Sequence, residues 1–139
     1  MGGTKDFLED GGFSVYRYEQ VGITANGIKI IMDSTKGNTN TPMKSNTPYT
    51  MYAKYKKDAK MVEQITAYGG ADGRSKIKDI DIGHVHDNKI KQGRKTVILY
   101  TFGKNDIHVH AYVDGKRSEI ARKPSKKERR MFMIARYGK

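Results

Sequence analysis

The sequence predicts an α+β fold, a mainly antiparallel β-sheet carrying one C-terminal helix. Three observations predict it: successive runs in which apolar and polar residues alternate, an Asn26-Gly27 dipeptide set between β-forming residues, and a final segment whose apolar residues recur at helical spacing. A length of 139 residues fits one domain spanning residues 1–139, since single domains most often run to about 100–150 residues.

Taken in order, Lys5–Asp10 is a candidate for a short N-terminal helix, and "FSVYRYEQV" (Phe13–Val21) alternates as a strand does. Asn26-Gly27 within "ITANGIKIIMD" marks a β-hairpin, because such turns need positive φ and Asn and Gly tolerate it. Ser34–Pro48 is a tract of Ser, Thr, Asn, Gly and Pro with no apolar period, hence a long loop. Three strands follow in "YTMYAKYKK", "MVEQITAYGG" and "KIKDIDIGHVH". "KTVILYTFG" is the most apolar run and is expected at the sheet centre, paired antiparallel with "DIHVHAYVDG". The C-terminal helix is expected over residues 125–137: Ser125 can cap it, Glu128 completes a capping box, and Met131, Ile134 and Ala135 share a face until Gly138 ends it.

Composition narrows the function. With no cysteine, disulfides, thiolate metal sites and cysteine nucleophiles are excluded, so only histidine and carboxylate remain as metal ligands. No apolar run approaches the roughly 20 residues of a membrane span, and no membrane partner is expected. The formal net charge of +12 implies a polyanionic partner, nucleic acid first. The charge is uneven: from Lys116 to Lys139 ten basic residues face only Glu119 and Glu128.

All four histidines fall in two His-x-His pairs, His84/His86 and His108/His110. On a strand, residues two apart share a face, so His108, His110 and Tyr112 point one way and Val109, Ala111 and Val113 the other. The valines and alanine are expected in the core, with the histidines lining the opposite surface. Asp79 and Asp81 share a parity just before the first pair. Three readings compete: polar strand histidines without chemistry, a metal site built from His84, His86, His108 and His110 or three of them with Asp81, and metal-free acid-base chemistry on RNA. The last needs a base for the ribose 2′-hydroxyl, an acid for the departing 5′-oxygen and cations for the phosphate, and histidine titrates in the right range. The charge favours RNA cleavage, because small-molecule metal hydrolysis would not require it.

"TPMKSNTPYTMYAKY", "VEQITAYGGADGRSKIKDIDIGHVH" and "IHVHAYVDGKRSEIARKPSKKE" follow one another in an order that resembles the small nuclease domains at the C-termini of bacterial polymorphic toxins and phage head-morphogenesis proteins, within the barnase/EndoU/colicin/RelE-like group of RNases. The run from Thr41 to Arg122 carries the resemblance, about 80 of the 139 residues. It implies an α+β fold, metal-independent RNA cleavage to a 2′,3′-cyclic phosphate, no cofactor, and a cognate immunity protein as partner where the domain is a toxin. It places Asp81 and His84 in an Asp-x-x-His element, His108 and His110 in the closing pair, and Arg122 as a downstream basic residue. Two features depart from it: His86 doubles the first pair, and the chain starts at Met1, where such domains usually trail a long delivery region. An RNA target implies a cytoplasmic site of action, reached by delivery or by expression from a phage.

The expected catalytic set is therefore His108 and His110 with His84 as third member, Asp81 orienting an imidazole, and Lys78 or Arg122 neutralising the phosphorane. Lys76, Lys116, Arg117, Lys123, Arg129 and Arg130 are expected to bind RNA, with Tyr112, Tyr100 and Tyr68 available to stack on bases. Replacing His110 with Ala is expected to abolish cleavage with little change in Tm. Two alternatives stay open: a non-enzymatic nucleic-acid-binding or phage structural module, and a metal-dependent nuclease.

Overall fold

A computed structural model describes residues 18–33, 41–56 and 60–138. The candidate helix at Lys5–Asp10, residues 13–17 of the first expected strand and residues 34–40 of the long loop lie outside the described residues. The class is α+β, with β1 (Tyr18–Ile23), β2 (Lys29–Asp33), β3 (Met51–Lys56), β4 (Met61–Gly69), β5 (Ser75–Asp81), β6 (His86–Gln92), β7 (Lys95–Phe102), β8 (His108–Val113), β9 (Lys116–Arg117) and α1 (Lys126–Tyr137). None of the described helices is long and apolar enough to cross a membrane.

Seven strands form one sheet in the order β1-β2-β3-β4-β5-β8-β9, antiparallel throughout except for the parallel β2–β3 pair. The Asn26-Gly27 hairpin forms as expected, with Gly27 at φ +86°. Register aligns apolar side chains across the sheet: Ala53 faces Ile65, Ile65 faces Ile80 and Ile80 faces Val109. Against this row packs α1, whose Phe132 is fully buried and joins Ala53, Val62, Ile65, Ile80, Ile107 and Val109 in one core. Ser125 and Glu128 close the expected capping box, and Gly138 ends the helix in the left-handed conformation.

The opposite sheet face carries a second, smaller cluster of Tyr18, Ile31, Tyr52 and Tyr68. Tyr68 donates its hydroxyl to the Pro42 carbonyl at 2.6 Å, pinning the described part of the long loop. That buried position corrects the expectation that Tyr68 is free to stack on a base.

Two further expectations are corrected. "KTVILYTFG" is not the central strand: β7 pairs with β6 in a separate two-stranded ribbon, while β8 pairs with β5 instead. Its middle residues are outward, with Ile98 and Leu99 more than half exposed, and only Phe102 at its end is buried. Apolarity predicted depth, but a two-stranded ribbon has too little sheet on either side to bury both of its faces. Val113, expected in the core, is 67% exposed, because it lies at the β8–β9 turn beyond the reach of the helix.

Candidate active site

The polar side of the sheet is built by the same register that builds the core. Asp79 faces His110 and Asp81 faces His108 across β5 and β8, so alternation puts all four on the face away from α1. After Asp81 the chain turns at Gly83, whose φ of +97° lies in the left-handed region and whose N–H donates to the Lys104 carbonyl at 3.0 Å. The turn carries His84 and His86 back over His108 and His110. A Cβ at Gly83 would collide with the Glu63 carboxylate. Gly83→Ala should therefore cost at least about 1–2 kcal/mol from backbone conformation alone; an unchanged urea midpoint would contradict this.

The four imidazoles form one contiguous stack of rings. His84 meets His108 edge-on at a centroid distance of 4.7 Å, His86 lies nearly parallel to His108 at 5.5 Å, and His86 meets His110 edge-on at 4.6 Å. Phe102 of β7 closes the side of His108 at 5.3 Å. The inner rings, His108 and His110, are buried, whereas His84 is exposed and His86 half-buried. Sequence reasoning expected all of β8's histidines on an open surface; the segment from Gly83 to His86 and the β9–Ala121 strand-and-loop segment cover that surface instead.

Main-chain carbonyls fix the tautomers. His108 Nδ1 lies 3.2 Å from the Asp106 carbonyl and His110 Nδ1 lies 2.8 Å from that of Ser118, so each Nδ1 carries the proton and donates it. His108 Nε2 is then a bare acceptor, and His84 Nε2 donates to it at 3.1 Å. That leaves the lone pair of a neutral His84 on Nδ1. His86 Nε2 donates to the Glu119 carbonyl at 3.1 Å. His110 Nε2 is buried and has no hydrogen-bond partner among the described residues.

Burial lowers the pKa of both inner histidines below the ordinary value of 6.5, because desolvation penalises the imidazolium more than the carbonyl contacts and Asp81 favour it. The unfolded chain therefore binds more protons than the folded one, so this contribution is fully present above about pH 6.5 and is lost as pH falls. Tm should drop on acidification from neutrality through pH 6; a Tm flat across that interval would contradict the neutral inner pair.

Asp79 and Asp81 are buried, and both are hydrogen-bonded. Asp81 accepts from Gln64 at 2.7 Å and from Arg117 at 2.9 Å. Asp79 accepts from Thr66 at 2.6 Å and from the Tyr112 hydroxyl at 2.8 Å, and it pairs with Lys76 at 3.5 Å. Desolvation and then Asp79 push the Tyr112 hydroxyl pKa up, so it stays a donor. Beside this network opens a cleft of about 590 Å³, lined among others by His86, Lys89, His110, Arg117 and Ser118. The guanidinium of Arg117 remains about half exposed there.

Three of the expected cations are placed elsewhere. Lys78 and Arg122 lie on the helix side and both bond Glu128, at 2.8 Å for Lys78 and 2.6 and 2.8 Å for Arg122. They belong to the anchor of α1, so neither faces the histidines. Lys76 is 3% exposed, donates to the Thr41 carbonyl at 3.1 Å and lies over the Tyr112 ring, where it neutralises Asp79 and cannot meet RNA directly. Lys116, Arg117, Lys123, Arg129 and Arg130 are exposed, but Arg129 and Arg130 ride on α1, across the sheet from the histidines. Lys123 lies over the ring of the exposed Tyr100 at 5.4 Å.

One residue of the site region escaped sequence reasoning, and another was given a narrower role. Asn88 is buried, donates to the Ala121 carbonyl at 2.7 Å and accepts from its N–H at 2.8 Å, tying the β6–β7 ribbon to the loop over His110. Nothing local distinguishes it from a strand asparagine. Arg117 was read only as an RNA contact, although Asp114-Gly115 is a two-residue hairpin signal that would have folded β9 back beside β8. Among the described residues, one group could hold a metal: Asp81, His108 and His110 each offer a ligand atom, all within 4.8 Å of one another. Compared with known proteins, the chain matches no family model, no curated protein and no solved structure.

Proposed function

We propose that the protein is an endoribonuclease that cleaves RNA by imidazole acid-base catalysis, leaving a 2′,3′-cyclic phosphate and a 5′-hydroxyl. The observation that carries this reading is two solvent-reaching imidazoles laid over two buried ones, beside a half-exposed arginine, in a chain of net charge +12. The outer pair meets the substrate and the inner pair positions it. His84, with its Nε2 proton given to His108, presents a bare Nδ1 as the base for the 2′-hydroxyl. His86, held through Nε2 on Glu119, protonates the leaving 5′-oxygen from Nδ1 in its charged form.

Arg117 takes the place expected of Lys78 or Arg122 in neutralising the phosphorane, with Lys89 on the same cleft. Asp81 aims that guanidinium. Tyr100 with Lys123 offers a stacking platform outside the centre. The burial of His110 alters one expectation: His110→Ala should now lower Tm as well as activity, because it empties a fully buried site.

The test is to incubate the purified protein with tRNA and with an end-labelled oligoribonucleotide, with and without EDTA, and to identify the product ends. EDTA-resistant cleavage to cyclic phosphate is expected. RNA that is bound with steep salt dependence but left intact would refute catalysis and leave a binding module.

A further inference from the structure

We infer that Asp81, His108 and His110 form a binding site for one divalent transition-metal ion of the zinc class, with His84 as its fourth ligand. Three observations carry this beyond the presence of histidines. The ligand atoms of Asp81, His108 and His110 already lie within 4.8 Å of one another, and His84 Nε2 sits 3.1 Å from His108 Nε2, close to the roughly 3.3 Å that separates two nitrogens of a tetrahedral site with bonds of about 2.0–2.1 Å. Both inner rings spend Nδ1–H on a main-chain carbonyl, the outer contact that orients metal-bound histidines and leaves Nε2 to coordinate. His110 Nε2 is a buried lone pair with no hydrogen-bond partner among the described residues. A buried acceptor left without a donor is costly, and a cation would satisfy it.

The donor set selects the ion. Three imidazoles and one carboxylate suit zinc, nickel or cobalt and are a poor match for magnesium or calcium, which favour oxygen. Gln64 and Arg117 each donate to one oxygen of Asp81, so the carboxylate is oriented before any ion arrives. Three ligands are buried and the fourth, His84, is exposed, which provides both enclosure and an entry path.

The consequence for activity rests on the ribonuclease reading above. An ion on His108 Nε2 removes the acceptor that holds His84 Nε2–H, and it recruits His84 Nε2 as a ligand. His84 then cannot serve as the base in its positioned form. The metal is thus an inhibitor, and chelation restores cleavage.

The experiment is a zinc titration of the chelator-stripped full chain by calorimetry, with thermal melts and with cobalt(II) as a spectroscopic substitute. One zinc per chain, a Kd at or below the micromolar range, a raised Tm and visible cobalt bands of a four-coordinate site are expected. Asp81→Asn and His110→Gln should each weaken binding at least tenfold. Since a buried substitution can unfold the chain, His84→Ala provides the independent variant: it should retain the fold and lose the four-coordinate cobalt spectrum. Absence of zinc binding, or binding and spectra unchanged in His84→Ala and Asp81→Asn, overturns the site whether or not RNA is cut. Zinc binding with RNA uncut in both chelator and zinc overturns the ribonuclease reading and leaves the site standing. Cleavage that requires zinc overturns the inhibitory role.

Discussion

Replacing His84 with Ala should reduce RNA cleavage by about 10²–10⁴-fold, the range supplied by a positioned general base, with little change in Tm. The two halves of that expectation have separate origins. The ring is exposed and lies in a turn, so its removal uncovers little apolar surface and leaves no packed cavity. Its one described hydrogen bond is to His108, whose Nε2 can accept from water instead. The loss of activity comes from chemistry, because His84 Nδ1 is the lone pair that this reading assigns to the 2′-hydroxyl, while His86 is needed in its charged form as the acid. His86→Ala should give a comparable loss, and the double variant should be little worse than either single one, since acid and base act on one transition state. A His84→Ala protein that cleaves at the wild-type rate would remove His84 from the mechanism.

Glu128→Ala should be strongly destabilising, costing about 2–3 kcal/mol and lowering Tm by roughly 8–12 °C. Glu128 is 4% exposed and receives four hydrogen bonds, from Arg122 Nη1 and Nη2, Lys78 Nζ and the Ser125 N–H. The carboxylate therefore ties the helix N-terminus to β5 and to the segment that bridges β8. The Arg122 contacts come first among the causes that hold its pKa well below the usual carboxylate range, so its contribution is present above the ordinary 4.5 and is lost as pH falls below it. The cost stays below the about 3–5 kcal/mol of a fully buried pair because Arg122 and Lys78 are partly exposed and can be rehydrated. The anchor lies across the sheet from the histidines, so the folded fraction of Glu128→Ala should cleave RNA normally. Loss of cleavage without loss of stability would return Lys78 and Arg122 to the catalytic centre.

The contrast between the two residues shows what the sequence could carry. Alternation in β3, β4 and β5, the Asn26-Gly27 turn and the Ser125–Glu128 capping box are local patterns, and each is found where its pattern put it. The shared parity of Asp79 with Asp81, and of His108 with His110, is local too, but bringing the two pairs onto one face took the β5–β8 pairing, which is not local. Coverage of that face is not local: it depends on Gly83 reversing the chain and on Asn88 holding the loop before Ala121, contacts 33 residues apart in the latter case. For the same reason Lys78 and Arg122 read as free cations until α1 brought Glu128 between them. The apolar run of β7 misled in the other direction, since residue type signals a preference for burial but not whether a second layer exists to provide it.

The most direct test of the central claim compares one oligoribonucleotide with its 2′-O-methyl counterpart, incubated with the same protein in EDTA. The account predicts that the ribose strand is cut to cyclic phosphate and 5′-hydroxyl ends and that the methylated strand is bound but intact, because the internal nucleophile is gone. Cleavage of both strands, or of neither, would contradict it.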